Sequence, residues 1–148
     1  MNNDVDLVPM CTRHIDALAE IEKVCFSTPW SHQLIENELS NPMAVYVVAE
    51  EEGNPIGYAG MINVLGSGEI MSVAVLPEYR GRGIATKLLN ALISHARDSE
   101  IEEMYLEVRS SNENAKKLYE KFGFKETGLR QNYYENPRED AVLMTKIL

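Results

Sequence analysis

The sequence predicts an α+β fold, a largely antiparallel sheet with helices packed on its faces. Three observations carry that prediction. From Ala44 onward, three β-patterned runs follow one another with only tight turns between them. The strongest helical pattern in the chain comes directly after them, at 83–98. Strand and helix patterns then alternate once more before two closing strand-like runs, giving the order ββ(β)αβαββ behind two leading helices.

In residues 12–25, helical spacing puts Ile15, Leu18, Ile21 or Glu22, and Cys25 near one another, with Thr12 placed to cap the start. Ser27-Thr28-Pro29 breaks this helix. A second, shorter one begins near Ser31, carries Leu34, Ile35 and Leu39, and stops at Asn41-Pro42, because a residue before proline is pushed away from helical angles. The runs AVYVVAE, IGYAGMINV and EIMSVAVL, separated by Glu52-Gly53-Asn54-Pro55 and Gly66-Ser67-Gly68, form an antiparallel meander.

Ile84, Leu88, Leu92 and Ala96 recur every fourth residue, flanked by Ala85, Leu89 and Ile93, which defines one apolar helix face. MYLEV at 104–108 reads as the next strand. Residues 114–122 read as a helix with Ala115, Leu118, Tyr119 and Phe122 on one face, closed by Gly123. Strands at 124–134 and 141–147 complete the pattern. No repeat, low-complexity tract or linker interrupts it, so residues 1–148 are expected to form a single domain.

Composition narrows the function. A chain of 148 residues that is 45% hydrophobic can bury an ordinary core. No apolar run approaches the roughly 18 residues needed to span a bilayer. The start MNNDVD lacks the basic flank and apolar stretch of a secretory signal, so a soluble, cytoplasmic protein is expected, as a monomer or weak dimer. With 23 acidic against 14 basic residues, the net charge of -9 opposes contact with nucleic acid or anionic lipid and favours cationic partners. Cys11 and Cys25 lack CxxC spacing and the three histidines are scattered, so the thiols are expected to be structural and buried, with no metal site.

Chemistry is expected at Arg80-Gly81-Arg82-Gly83-Ile84-Ala85, between a strand and the strong helix. Free backbone N–H groups and the helix dipole make an anion site there, the glycines allow close approach, and Arg80 and Arg82 can add charge. A dinucleotide fingerprint fails because its third glycine position holds Thr86, and no Walker-type loop is present. The pattern that does fit is Gln/Arg-x-x-Gly-x-Gly/Ala, met by Arg80, Gly83 and Ala85. With MSVAVLPEYRGRGIA before and LEVRSSNENAKKLYEKFGF after, the chain resembles the GNAT (Gcn5-related) N-acetyltransferase superfamily over nearly its whole length. It is most similar to the RimI-type ribosomal-protein-alanine N-acetyltransferases, through Phe26-Ser27-Thr28-Pro29-Trp30, Asn132-Tyr133-Tyr134 and Arg138-Glu139-Asp140-Ala141.

That resemblance implies a mixed, mostly antiparallel sheet of about seven strands, splayed between the fourth and fifth, with about four helices. It implies acetyl-CoA as co-substrate and no metal. Val73, Ala74 and Val75 would offer backbone to the pantetheine arm, the amides of Arg82, Gly83, Ile84, Ala85 and Thr86 would hold the pyrophosphate, and Arg80 and Gly81 would complete the cofactor site. Asn112 would cap a helix, bind the cofactor, or do both. Glu107 would be the general base and Tyr119 the general acid, against the plainer readings of a strand-end carboxylate and a core tyrosine. Trp30, Tyr133 and Tyr134 would line the acceptor groove or else pack the core. Glu139 and Asp140 would either attract a basic acceptor or form a charged turn.

The resemblance further implies acetylation of a protein N-terminus, in a ribosomal protein starting with alanine, by direct transfer, since no cysteine stands in the cleft motifs. Lysine or small-amine acceptors such as polyamines and aminoglycosides, and a non-catalytic acyl-CoA-binding module, are the alternatives.

Overall fold

The computed structural model describes residues 4–148, so the first half of the MNNDVD start, residues 1–3, lies outside the described residues. Its elements are β1 (Asp6–Pro9), α1 (Ile15–Cys25), α2 (His32–Leu39), β2 (Ala44–Glu51), β3 (Asn54–Val64), β4 (Ser67–Val75), α3 (Ile84–Asp98), β5 (Glu103–Arg109), α4 (Glu113–Lys121), β6 (Lys125–Tyr134) and β7 (Glu139–Ile147). Short 3-10 turns at Thr12–His14 and Pro77–Tyr79 lead towards α1 and α3.

The strands form one sheet in the order β1-β2-β3-β4-β5-β7-β6. Every neighbouring pair is antiparallel except β4 and β5, which run parallel. This is the mixed, mostly antiparallel α+β sheet that the resemblance implied, with four helices. The short strand β1 was not legible in the residues, because four residues, Asp6–Pro9, are too few to show alternation.

Alternation along the strands divides the apolar side chains between two cores. Tyr46 and Val48 of β2, Tyr58 of β3 and Ala74 of β4 pack with Ile15, Leu18 and Ile21 of α1 on one face. Ala49, Ala59 and Val75 face the other way, against Leu88, Leu89 and Leu92 of α3, where Met104, Leu106 and Phe124 join them. Each such Leu, fully buried, contributes about 1.5–3 kcal/mol relative to exposure. β3 passes very close to its neighbours: a Cβ on Gly57 would lie 2.7 Å from the Ala74 carbonyl, and one on Gly60 would collide with the Tyr46 ring.

Local details correct two expectations. Thr12 does not cap α1; it opens the 3-10 turn, and His14 precedes the helix without a side-chain cap. Ser31 does cap α2, its hydroxyl accepting from Leu34 N–H at 3.2 Å. Cys11 is exposed and Cys25 only partly buried, so neither is the buried core thiol expected from cysteine's usual habits.

Candidate active site

β4 and β5 pair only over their first residues: Ser67, Gly68 and Glu69 lie beside Glu103, Met104 and Tyr105. Beyond that point the strands part. The gap widens into a cleft of about 530 Å³, with Met71, Ser72 and Val73 on one wall and Leu106, Glu107 and Val108 on the other. This volume suits a bound small molecule. The β4 edge past Glu69 has no β5 partner, which leaves an extended backbone edge to which another extended chain can add.

The helix after β4 begins in a backbone that only glycine adopts cheaply. Gly81 has φ 84° and Gly83, just before α3, has φ 77°. A Cβ at either would meet no neighbour, so conformation, not crowding, selects glycine there. Lys87 N–H bonds to Gly83 O at 3.1 Å, and the amides of Ile84, Ala85 and Thr86 belong to the first turn, whose N–H groups lack intrahelical acceptors. Such a donor set fits a phosphate. The two arginines are held by the protein. Arg80 Nε donates to Val75 O at 2.9 Å, and Arg82 pairs with Glu51 at 3.2 Å and lies over the Tyr79 ring.

Glu107 and Tyr119 both line the cleft. The Glu107 side chain is 11% exposed, and Arg130 Nε stands 2.8 Å from its Oε2. The approach is an ion pair by distance, yet no hydrogen bond of good geometry reaches that oxygen, so it retains acceptor capacity. Tyr119 is buried on α4, edge-on to Phe124 at 5.7 Å between ring centres. Burial, with a smaller contribution from Tyr134, pushes its phenol well above the usual value, so it carries its proton at neutral pH. Asn112 caps α4 by accepting from Ala115 N–H at 3.1 Å and also lines the cleft, so the capping and binding readings are compatible.

Of the three predicted acceptor-wall residues, Trp30 and Tyr134 line the cleft; Tyr133 is exposed and does not. Tyr133 instead lies beside Arg130, with the guanidinium 5.8 Å from its ring centre. Tyr134 packs under Arg109 at 4.5 Å, and burial, then the Glu107 charge, pushes its phenol up to about 12. Glu139 accepts from Ser111 N–H at 2.6 Å and from Ser110 Oγ at 3.2 Å and pairs with Arg109, while Asp140 accepts from Asn132 N–H at 2.8 Å. These carboxylates fasten the start of β7 to the end of β5, to the turn that follows it and to β6.

Three residues at the cleft escaped the sequence reading. Glu22 of α1, weighed only as one of two residues on an apolar face, is buried at the cleft wall. Arg109 gathers Glu135 O, Pro137 O and Glu139 around its guanidinium. Cys25 also lines the cleft. It lies at the end of α1, outside the cleft motifs, with its thiol 3.5 Å from Val75 O. Burial raises that thiol above its ordinary value, so it is not a primed nucleophile. Among the described residues, no group of His, Cys, Asp and Glu is arranged to hold a metal ion, and no helix is long and apolar enough to cross a membrane.

Comparison with known proteins agrees with this geometry. Residues 15–124 match the Acetyltransferase (GNAT) family. The chain is 36% identical over 132 residues to the ribosomal protein bS18-alanine N-acetyltransferase of Haemophilus influenzae, covering 87% of this chain and 89% of that one. It superposes on the crystal structure of the ribosomal-protein-S18-alanine N-acetyltransferase from Escherichia coli with a TM-score of 0.90 at 29% identity, covering 97% and 94% of the two chains. Arabidopsis thaliana Naa50, solved in complex with the bisubstrate analogue CoA-Ac-MVNAL, superposes with a TM-score of 0.85 at 27% identity, covering 97% and 99%.

Proposed function

The chain belongs to the GNAT family and is an acetyl-CoA-dependent N-acetyltransferase, and on that premise we propose that it acetylates the α-amino group of a protein beginning with alanine, a ribosomal protein first of all, in the cytoplasm. One observation carries this reading. The cleft where β4 and β5 part is lined by Glu107, Tyr119, Trp30 and Tyr134, and the chain runs on from its β4 wall to the glycine turn before α3. The relatives named for that same acceptor support the choice of substrate. Residues 1–148 are proposed to work as one domain.

The amides of Arg82, Gly83, Ile84, Ala85 and Thr86 hold the pyrophosphate, with Gly81 permitting its close approach and Arg80 bracing the turn through Val75 O. The backbone of Val73, Ala74 and Val75 receives the pantetheine arm along the open β4 edge. Acetyl-CoA supplies the activated acyl group. A protein α-amino group has a pKa near 8, so a modest base suffices to take its proton. Glu107 takes that proton, and Tyr119 returns one to the departing thiolate. Trp30, Tyr134 and Asn112 flank the acceptor and the cofactor within the cleft. Transfer is direct, because the raised Cys25 thiol is a poor relay.

The test is release of free thiol from acetyl-CoA with three acceptors: a peptide with a free alanine N-terminus, its N-acetyl form carrying lysine, and spermidine. Selective turnover of the free N-terminus is expected. Turnover only with lysine or spermidine overturns the acceptor, and tight acetyl-CoA binding without turnover on any amine points to a non-catalytic acyl-CoA-binding module.

A further inference from the structure

Glu22 stands where an apolar helix face predicts a hydrophobic residue, and it is 3% exposed. A charge in such a place is costly unless each lone pair finds a donor. Glu22 finds three, from three different segments. Oε1 accepts from the Trp30 backbone N–H at 2.8 Å, and Oε2 accepts from the Tyr58 phenol of β3 and from Ser72 Oγ of β4 at 3.3 Å. A hydrophobic side chain of similar size would hold α1 to the sheet at no desolvation cost, so packing alone does not account for the carboxylate. Its bonds account for it better. One end grips the turn that carries Trp30, and the other grips the strand on which Ser72 immediately precedes Val73.

We propose that Glu22 is a positioning residue that locks the Trp30 turn onto β4 and so fixes the acceptor wall against the strand that carries the acetyl donor. The inference rests on the acceptor reading above only in what passes along that wall. The lock itself is a relation among Glu22, Trp30, Tyr58 and Ser72. Glu22 touches neither reacting atom in this scheme and acts through the Trp30 turn.

Trp30 is the chain's single tryptophan, so its fluorescence reports the turn without reference to any acceptor. Glu22→Gln keeps the side chain's size but gives an amide in place of a carboxylate oxygen, so the three donors can no longer share two acceptor oxygens. We expect its Trp30 emission to shift to longer wavelength and acrylamide quenching to rise. The KM for an alanine-start peptide should rise about tenfold, as for loss of a charge-assisted hydrogen bond, with kcat and acetyl-CoA affinity near wild type. A merely structural residue would lower the melting temperature while leaving emission and the KM-to-kcat split unchanged, and that result overturns the proposal. If Glu22→Gln does not fold, Ser72→Ala removes one donor without touching α1. A smaller shift in the same direction supports the lock, and native emission with native KM overturns it. Should no peptide be turned over by the wild type, the acceptor reading fails, while the Trp30 emission of the two variants still decides on Glu22.

Discussion

Arg109 Nη2 lies 3.3 Å from Ser27 Oγ, while Nη1 of the same guanidinium is 3.2 Å from Glu139, so one side chain joins the turn after α1 to the start of β7. Ser27 and Arg109 itself line the cleft, and Tyr134, which also lines it, packs beneath the guanidinium. Arg109→Lys keeps the charge but loses the planar fork that serves several acceptors at once. We expect kcat/KM for the acceptor peptide to fall about tenfold or more, with acetyl-CoA affinity retained. Steady-state kinetics with each substrate varied in turn check this; a variant with unaltered acceptor kinetics would show that the bridge is not needed.

Replacing Glu107 by Gln removes the proposed base and leaves the β5 backbone paired with β7 through Leu143. General-base catalysis typically supplies about 10²–10⁴-fold. Transfer by Glu107→Gln should therefore slow by about a hundredfold or more below pH 8, where the acceptor amine is mostly protonated, and recover in part as the pH rises above 8. Equilibrium binding of acetyl-CoA should stay near wild type. A pH–rate profile parallel to the wild type would remove Glu107 from this role.

The Tyr119 phenol is raised by burial, and the sign of that shift matters for the acid role. A folded pKa above the unfolded value keeps the proton on the oxygen through the alkaline range where free tyrosine ionises, near pH 10. The wild-type rate should show no loss attributable to phenol ionisation up to about that pH. Tyr119→Phe preserves the edge-on contact with Phe124 and should reduce kcat by about a hundredfold with little change in melting temperature. An equal loss of stability and activity would return Tyr119 to the core.

Glu139 predicts how the start of β7 responds to acid. Hydrogen bonds from the Ser111 side chain and backbone, with Arg109 and Ser110 adding to them, hold its carboxyl at about 2, below the ordinary 4.5. The native state thus binds fewer protons here than the unfolded chain. The resulting stability is present above about pH 4.5 and is lost as the pH falls towards about 2. In chemical denaturation, the gap between wild type and Glu139→Gln should be widest above pH 5 and close in that acid window; a gap that does not vary with pH would contradict the assignment.

The parts of the molecule legible in the residues are those whose period is long and unbroken. Leu88, Leu92 and Ala96 mark α3 because nothing interrupts the spacing, and the glycine turn ahead of it carries its own chemistry. The site was legible only where a motif supplied it. Tyr133 and Tyr134 look equivalent in sequence, yet the register between β6 and β7 shifts between Arg130 and Tyr134, with Asn132 at φ 54°, and only Tyr134 borders the cleft. Glu22 and Arg109 were missed for a related reason. Their partners, Ser72 and Ser27, lie 50 and 82 residues away in the chain, and no local spacing records a contact at that distance.

Gly60 links the packing of the sheet to this network. Its missing Cβ leaves room for the Tyr46 ring, which packs beside the Tyr58 ring at 6.2 Å, and the Tyr58 hydroxyl donates to Glu22. Gly60→Ala must displace Tyr46 within a full core, at a cost of about 1–3 kcal/mol. Urea unfolding should read that loss directly. Because the displaced ring presses on Tyr58, the strain should also reach the Glu22 carboxylate and move Trp30 emission in the same direction as Glu22→Gln. Destabilisation with native Trp30 emission would mean that Tyr46 yields outward instead, leaving the Tyr58–Glu22 contact unaltered.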